Sequence, residues 1–129
     1  MIARPVSAAL GGRSVLVVED QFLIAEEMRR AVENLGGRVV GPVPSVERAM
    51  MLAIKTRPDI GLLDVDLRGQ EIYPVADALR EAGSPVIFTT GFDRAALPAA
   101  YQDIPHLDKP VTANALAAAL AALSQVVQP

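Results

Sequence analysis

The sequence of 129 residues contains no cysteine and no tryptophan, and only 4% of its residues are aromatic. The absence of cysteine excludes disulfide bonds and thiolate metal sites. Hydrophobic residues nevertheless make up 51% of the chain, so a core must be built mainly from Leu, Val, Ile and Ala. A chain of this size buries about two thirds of its extended surface on folding, which is enough for one domain.

A block of positive charge and a long apolar run are also missing. The net charge is −3, and no basic cluster is longer than Arg29-Arg30, which argues against binding of nucleic acid through its phosphates. No stretch reaches the ~18–20 apolar residues of a membrane span. The apolar stretch within residues 1–13 is too short for the hydrophobic region of a secretory signal peptide. We therefore expect a cytoplasmic protein without membrane or nucleic-acid partners, with a flexible leader over residues 1–13 and one domain over residues 14–129.

The most informative stretch is IGLLDVDL, a short apolar run bounded by a proline and a glycine. It predicts a buried strand that ends in Asp64 and Asp66. An earlier apolar run, VLVV, is followed directly by Glu19 and Asp20. Both strands therefore deliver carboxylates at their carboxyl ends, which is where ligands bind to parallel α/β sheets.

Five apolar segments alternate with segments of helical spacing along the chain. This alternation predicts a parallel sheet covered on both faces, with the flavodoxin-like, doubly wound strand order 2-1-3-4-5. Pro98 interrupts the fourth helical segment, so we expect a (βα)5 fold with a short or broken fourth helix. The predicted strands cover residues 14–18, 38–41, 85–89 and 104–108, together with the run from Ile60 that delivers Asp64.

In this fold Glu19, Asp20, Asp64, Thr90 and Lys109 lie at the same edge of the sheet. Two like charges about 4 Å apart repel by roughly 4 kcal/mol at an effective dielectric of about 20. The acids therefore predict a bound cation, and Mg²⁺ suits their oxygen ligands. One acid could attack phosphorus, while a hydroxyl and an ammonium group bind the phosphoryl oxygens.

The motifs VLVVED, LLDVDL, FTTG and LDKP, in this order and spacing, resemble the receiver domain of two-component response regulators over about residues 14–127. More narrowly, GLLDVDLRGQEIYPVADAL followed by PVIFTTGF is similar to the single-domain FAT GUY receivers. The resemblance implies a stand-alone phosphoprotein of a phosphorelay, with a histidine kinase or histidine phosphotransfer protein of the HWE or a related class as its partner. It implies no enzyme activity beyond self-phosphorylation and slow autodephosphorylation, and an output through protein contact or onward phosphotransfer.

The resemblance also implies individual roles in phosphoryl transfer. Asp64 would be the phosphoryl acceptor, Thr90 would donate a hydrogen bond to the phosphoryl group, and Lys109 would pair with it beside a cis bond to Pro110. His106 occupies the position of the usual aromatic switch residue, so a toggle between Thr90 and an aromatic ring is not expected.

Four acids would form the metal site by the same resemblance. Asp20 would bind Mg²⁺ directly and Glu19 through water. Asp64 would contribute a carboxylate oxygen, and Asp66 its backbone carbonyl. Thr89, next to the predicted site, is interpreted as an ordinary strand residue.

Several residues are candidates for contact with partners. Phe22 and Leu23 follow the first acid pair and are either exposed for docking or packed in the core, and Pro110 and Val111 are candidates beside Lys109. Residues 111–129 carry no charged side chain. The last helix is therefore either a compact alanine-rich helix or the contact of a homodimer.

Three other functions compete with the phosphoacceptor. A pseudo-receiver adaptor would bind partners without phosphorylation. A Toprim-like metal-dependent nucleotidyl-transfer domain would use Glu19, Asp64, Asp66 and Gly69, but it leaves Lys109 without a role. A haloacid-dehalogenase-type phosphatase needs acids after its lysine, and none follows Lys109.

Overall fold

A computed structural model describes residues 9–91 and 96–127 of the chain, with side chains as far as residue 123. Five strands form one parallel sheet in the order β2-β1-β3-β4-β5, which confirms the predicted flavodoxin-like topology. The strands are β1 (Ser14–Val18), β2 (Arg38–Val43), β3 (Ile60–Asp64), β4 (Val86–Thr90) and β5 (His106–Asp108).

Helices cover both faces of this sheet, with α1 and α4 on one face and α2 and α3 on the other. They are α1 (Phe22–Asn34), α2 (Val46–Thr56), α3 (Tyr73–Glu81) and α4 (Ala113–Val127). Ser45 caps α2, because its hydroxyl accepts a hydrogen bond from the backbone N–H of Arg48. Within the described ranges, no helix is both long and apolar enough to cross a membrane.

The core has two layers because successive side chains of each strand point to opposite faces of the sheet. Val15 and Val17 of β1 pack under α1 and α4, whereas Leu16 and Val18 pack under α2 and α3. All five residues of β1, β3 and β4 are buried. Burial on both faces explains why these strands appear in the sequence as continuous apolar runs.

The connection from β4 to β5 contains, within its described part, a 3₁₀ turn over Ala99–Tyr101. This confirms the short or broken fourth helix predicted from Pro98, although residues 92–95 lie outside the described ranges. The ring of Tyr101 stacks on Tyr73 at 4.4 Å between ring centroids. Its hydroxyl donates to the carboxylate of Asp77 at 3.0 Å, so the turn is attached to α3.

Two strands differ in length from the prediction. Strand β2 continues through Pro42 to Val43, where the sequence predicted an end at Gly41. Proline lacks a backbone N–H, but β2 is an edge strand and needs hydrogen bonds on one side only. Strand β5 is shorter than predicted and begins at His106.

The predicted flexible leader is wrong for residues 9–13. The side chain of Leu10 is only 1% exposed and packs with Met28 and Val32 in the layer under α1 and α4. Its backbone N–H donates to the carbonyl of Leu35 at 2.7 Å. The folded domain therefore includes residue 9 onward, because the core needs this leucine, while residues 1–8 lie outside the described ranges.

Candidate functional site

Five predicted site residues meet at the carboxyl edge of the sheet. Glu19 and Asp20 directly follow β1, Asp64 and Thr90 are the last residues of β3 and β4, and Lys109 directly follows β5. The backbone N–H of Lys109 donates to the carbonyl of Thr90 at 3.1 Å, which fixes the lysine beside the end of β4. Parallel strands thus bring together residues that are far apart in sequence.

Lys109 lies between two buried carboxylates. Its Nζ is 2.9 Å from Oδ1 of Asp64 and 3.0 Å from Oε1 of Glu19. Both acid side chains are fully buried, while that of Lys109 is 14% exposed. The peptide bond from Lys109 to Pro110 is cis. One cation therefore faces two anions in a region that excludes water.

Burial controls the electrostatics of this group. It raises the pKa of Glu19 to about 7, although hydrogen bonds from the Gln21 backbone and from Lys109 oppose the shift. Burial alone would lower the pKa of Lys109, but its hydrogen bonds and charge interactions with Asp64 and Glu19 prevail, and the pKa lies above its ordinary value. Lys109 is therefore charged at neutral pH, but its contact with Glu19 does not cancel the effect of burial on the pKa of that carboxyl.

The acids fit a divalent metal ion. Glu19, Asp20 and Asp64 each offer a carboxylate oxygen, and these three oxygens lie within 4.8 Å of one another. Oδ2 of Asp64 is buried and has no hydrogen-bond partner within residues 9–91 and 96–127. Clustered carboxylate oxygens, one of them unpaired, are the ligands that Mg²⁺ prefers.

The side chain of Asp20 is held loosely. Its Oδ2 accepts a long hydrogen bond of 3.5 Å from the backbone N–H of Arg68 and lies 3.8 Å from Nε of the same residue. The Arg68 side chain is 86% exposed, so solvent screens this ion pair. Asp20 therefore has oxygens available for a stronger cationic partner.

Asp66 takes a different position from the other predicted metal ligands. Its carboxylate accepts a hydrogen bond from the backbone N–H of Gly91 at 3.0 Å and is not part of the group of three acids. Its own N–H donates to Oδ1 of Asp64 at 2.8 Å. Asp66 thus connects the end of β3 to the loop after Thr90, and the use of its backbone carbonyl as a ligand stays a prediction.

The candidate partner residues separate into exposed and buried ones. Phe22 and Leu23 are 75% and 77% exposed, so the alternative that they pack in the core is wrong. Pro110 is also exposed. Val111 is buried, because it packs in the layer under α1 and α4, and its prediction as a surface contact is wrong. His106 is partly buried and lies opposite Phe88 at the start of β5.

Sequence reasoning missed Thr89. This residue is fully buried, and its Oγ1 has no hydrogen-bond partner in the described part of the chain. It lies opposite Asp64 in the register of β3 and β4. The signal was the first threonine of FTTG, a polar residue in a strand that is otherwise apolar up to Thr90.

The fold and this edge of the sheet define a class, the receiver domains of response regulators. The sequence matches the response regulator receiver domain family over residues 15–121, and the chain belongs to this family. It is 41% identical over 112 residues to the positive alginate biosynthesis regulatory protein of Pseudomonas aeruginosa, covering 83% of this chain and 45% of that protein. The chain thus spans less than half the length of this curated relative.

Two solved structures show the same similarity. The solution structure of SdrG from Sphingomonas melonis Fr1 is 37% identical, with a TM-score of 0.78, and the match covers 88% of this chain and 97% of SdrG. The beryllofluoride-activated conformation of SdrG, from Pseudomonas melonis Fr1, is 39% identical with a TM-score of 0.74, over 85% and 94% of the two chains. Both SdrG structures are receivers, and each is matched over nearly its whole length.

Family membership confirms the expected place in two-component signalling. Receiver domains bind Mg²⁺ at an acidic pocket, interact with histidine kinases or phosphotransfer proteins, and are generally not catalytic enzymes. The Toprim-like alternative assigns no role to Lys109. In the structure, Lys109 Nζ contacts the carboxylates of Glu19 and Asp64, so this alternative leaves a central contact of the site unexplained.

Proposed function

We propose that this domain accepts a phosphoryl group on Asp64 from the phosphohistidine of a histidine kinase or histidine phosphotransfer protein. One observation carries the proposal: Asp64 is buried with one oxygen 2.9 Å from Lys109 Nζ, while its other oxygen has no partner among the described residues. An anionic carboxylate with an unpaired oxygen beside a fixed ammonium group is suited to attack phosphorus.

In the transfer, an Asp64 carboxylate oxygen forms a bond to phosphorus as the bond from phosphorus to the histidine nitrogen breaks. The imidazole keeps the electron pair of the broken bond. Lys109 keeps its positive charge and offsets the charge on the phosphoryl oxygens, and Thr90 at the end of β4 supplies a hydroxyl donor. These groups are held by strand ends, so little reorganisation accompanies the reaction.

Glu19, Asp20 and Asp64 would hold the Mg²⁺ of this site, together with the backbone carbonyl of Asp66, and Glu19 would act through water. When bound, the ion supplies positive charge that reduces repulsion between these acids and the phosphoryl group. Lys109 already contacts both Asp64 and Glu19, so the ion would add to the positive charge that the lysine supplies.

A small phosphodonor tests the assignment. With Mg²⁺ and acetyl phosphate, the wild-type chain should gain one phosphoryl group by intact-mass spectrometry, and Asp64→Asn should gain none. Asp108→Asn is the matched control, because Asp108 is an exposed acid at the end of β5, and it should be labelled like the wild type. Labelling of Asp64→Asn at the wild-type level would contradict the proposal, and no labelling of the wild type would favour a pseudo-receiver adaptor.

The exposed pair Phe22 and Leu23 is proposed as a docking contact for the phosphodonor protein. It begins α1, two residues after the acid pair. The double variant Phe22→Ser/Leu23→Ser should slow transfer from a cognate kinase about tenfold or more, as expected for loss of apolar anchors, and leave labelling by acetyl phosphate unchanged.

A second exposed apolar pair provides the control for this experiment. Met51 and Ile54 on α2 are 60% and 69% exposed, and Met51→Ser/Ile54→Ser should leave both reactions unchanged. Equal slowing of the kinase reaction by both double variants would show that the loss is not specific to the α1 pair, and no slowing by Phe22→Ser/Leu23→Ser would contradict this proposal. Phosphotransfer profiling with the same variants would also identify the kinase, for which the HWE class stays a prediction.

The proposed output is protein contact or onward phosphotransfer. Ala118, Ala121 and Ala122 form an exposed, uncharged surface on α4. A homodimer through this surface stays a prediction. Phosphorylation would add negative charge beside Thr90 and Lys109 and reorder the loops that hold these two residues.

A further inference from the structure

Asp64 and Thr89 are neighbours on the same face of the sheet. They are register partners on adjacent parallel strands, which lie about 4.8 Å apart. Leu62 and Ile87, two residues earlier on the same strands, both pack in the layer under α1 and α4. Because strand side chains alternate with a period of two, Asp64 and Thr89 also point to that face.

Both side chains carry a buried oxygen without a hydrogen-bond partner. These atoms are Oδ2 of Asp64 and Oγ1 of Thr89, judged over the described residues 9–91 and 96–127. Both residues are 0% exposed. A buried hydroxyl without a partner destabilises the folded state, and a valine of similar shape would fill the same space without this penalty. Packing of the unphosphorylated domain therefore does not explain a threonine at this position.

We propose that the Thr89 hydroxyl donates a hydrogen bond to the acyl phosphate formed on Asp64. This inference rests on the proposed phosphorylation of Asp64. Phosphorylation places new anionic acceptor oxygens on the neighbouring side chain, and a hydrogen bond to a charged acceptor is stronger than a neutral one. The hydroxyl is unpaired in the resting domain and paired after phosphorylation, so Thr89 favours the phosphorylated state. It acts beside Thr90, which is the next residue of β4.

The Thr89→Val variant tests this inference through two effects of opposite direction. In the resting, metal-free protein its denaturation midpoint should rise, because the unpaired hydroxyl is removed. Its affinity for beryllofluoride in the presence of Mg²⁺ should fall about threefold to tenfold, the effect of one lost hydrogen bond. Beryllofluoride stands here for the phosphoryl group on Asp64, and the affinity for Mg²⁺ alone should stay unchanged.

Thr89→Ser is the matched control, because it keeps the hydroxyl and should bind beryllofluoride like the wild type. Wild-type affinity of Thr89→Val for beryllofluoride, or equal weakening in Thr89→Ser, would overturn the inference. If Thr89→Val does not fold, Thr89→Ser and Thr89→Ala provide the same comparison of affinity. Failure of the proposed function itself would look different: the wild type would not bind beryllofluoride, or Asp64→Asn would bind it equally well.

Discussion

Two groups of charges in this molecule have the same chemistry and opposite burial. At the edge of the sheet, Lys109 lies 2.9 Å and 3.0 Å from two fully buried carboxylates. On α1, Arg29 lies 2.7 Å from each of Glu26 and Glu33, and all three side chains are at least 27% exposed. The distances are nearly equal, so any difference in behaviour comes from the surroundings.

The pKa values show this difference. On α1, the hydrogen bond to Arg29 lowers the pKa of Glu26 and raises that of Arg29, as expected when pairing dominates. At the edge of the sheet, burial dominates and raises the pKa of Glu19 despite its contact with Lys109. At the edge of the sheet burial therefore favours the neutral carboxyl of Glu19, and a cation bound beside it would favour the charged form.

Removal of Lys109 should have the largest effect on stability. Lys109→Met leaves two buried carboxylates without their cation, and breaking a buried ion pair in this way costs about 3–5 kcal/mol. Chemical denaturation without metal measures this loss. Mg²⁺ should restore part of it, because it supplies positive charge to the same acids. A variant as stable as the wild type without metal would show that the lysine does not stabilise the buried acids.

The pH dependence of Glu19 should have a smaller effect. Its folded-state pKa of about 7 lies above the ordinary value of 4.5, so the folded protein binds more protons between these pH values. This contribution to stability is complete below about pH 4.5 and is lost as the pH rises through 7. Without metal, Glu19→Gln should therefore gain stability over the wild type with rising pH, to a difference on the order of 3 kcal/mol at neutral pH.

Denaturation midpoints at several pH values, with and without Mg²⁺, measure this difference. The metal should reduce the advantage of Glu19→Gln, because it favours the charged carboxylate. A constant difference between Glu19→Gln and the wild type from pH 4.5 to pH 7 would mean that the Glu19 carboxyl does not titrate in this range in the folded protein.

Arg29→Ala should have the smallest effect. Its ion pairs on α1 are exposed, and solvent and salt screen them. The variant should change the denaturation midpoint far less than Lys109→Met, and Mg²⁺ should not alter the change. A loss as large as that of Lys109→Met would contradict the conclusion that burial, and not distance, separates the two groups.

The sequence was sufficient for the topology and for the set of residues at the sheet edge. Parallel βα units place the carboxyl ends of all strands on one edge, so the acids after β1 and β3 and the lysine after β5 could be placed together without coordinates. Burial of single residues outside the helices and strands was harder to predict. Leu10 and Val111 fill the core from segments outside the strands, and no periodicity marks such residues.

Thr89 and Pro42 show two further limits of pattern reasoning. The pattern of a strand does not reveal whether a buried hydroxyl finds a partner, since this depends on the exact neighbours in the adjacent strand. Pro42 was interpreted as the end of β2, but an edge strand tolerates proline within it. In both cases the outcome depends on which strand lies next to the residue, and local sequence propensity does not contain this information.

The stacked pair of Tyr73 and Tyr101 has a spectroscopic consequence. The chain contains two tyrosines and no tryptophan, and both phenol rings lie in this one stack. Nearly all near-ultraviolet absorption and emission of the protein therefore originates at one place, where the connection between β4 and β5 meets α3. Any rearrangement of that connection therefore has a built-in optical reporter that needs no label.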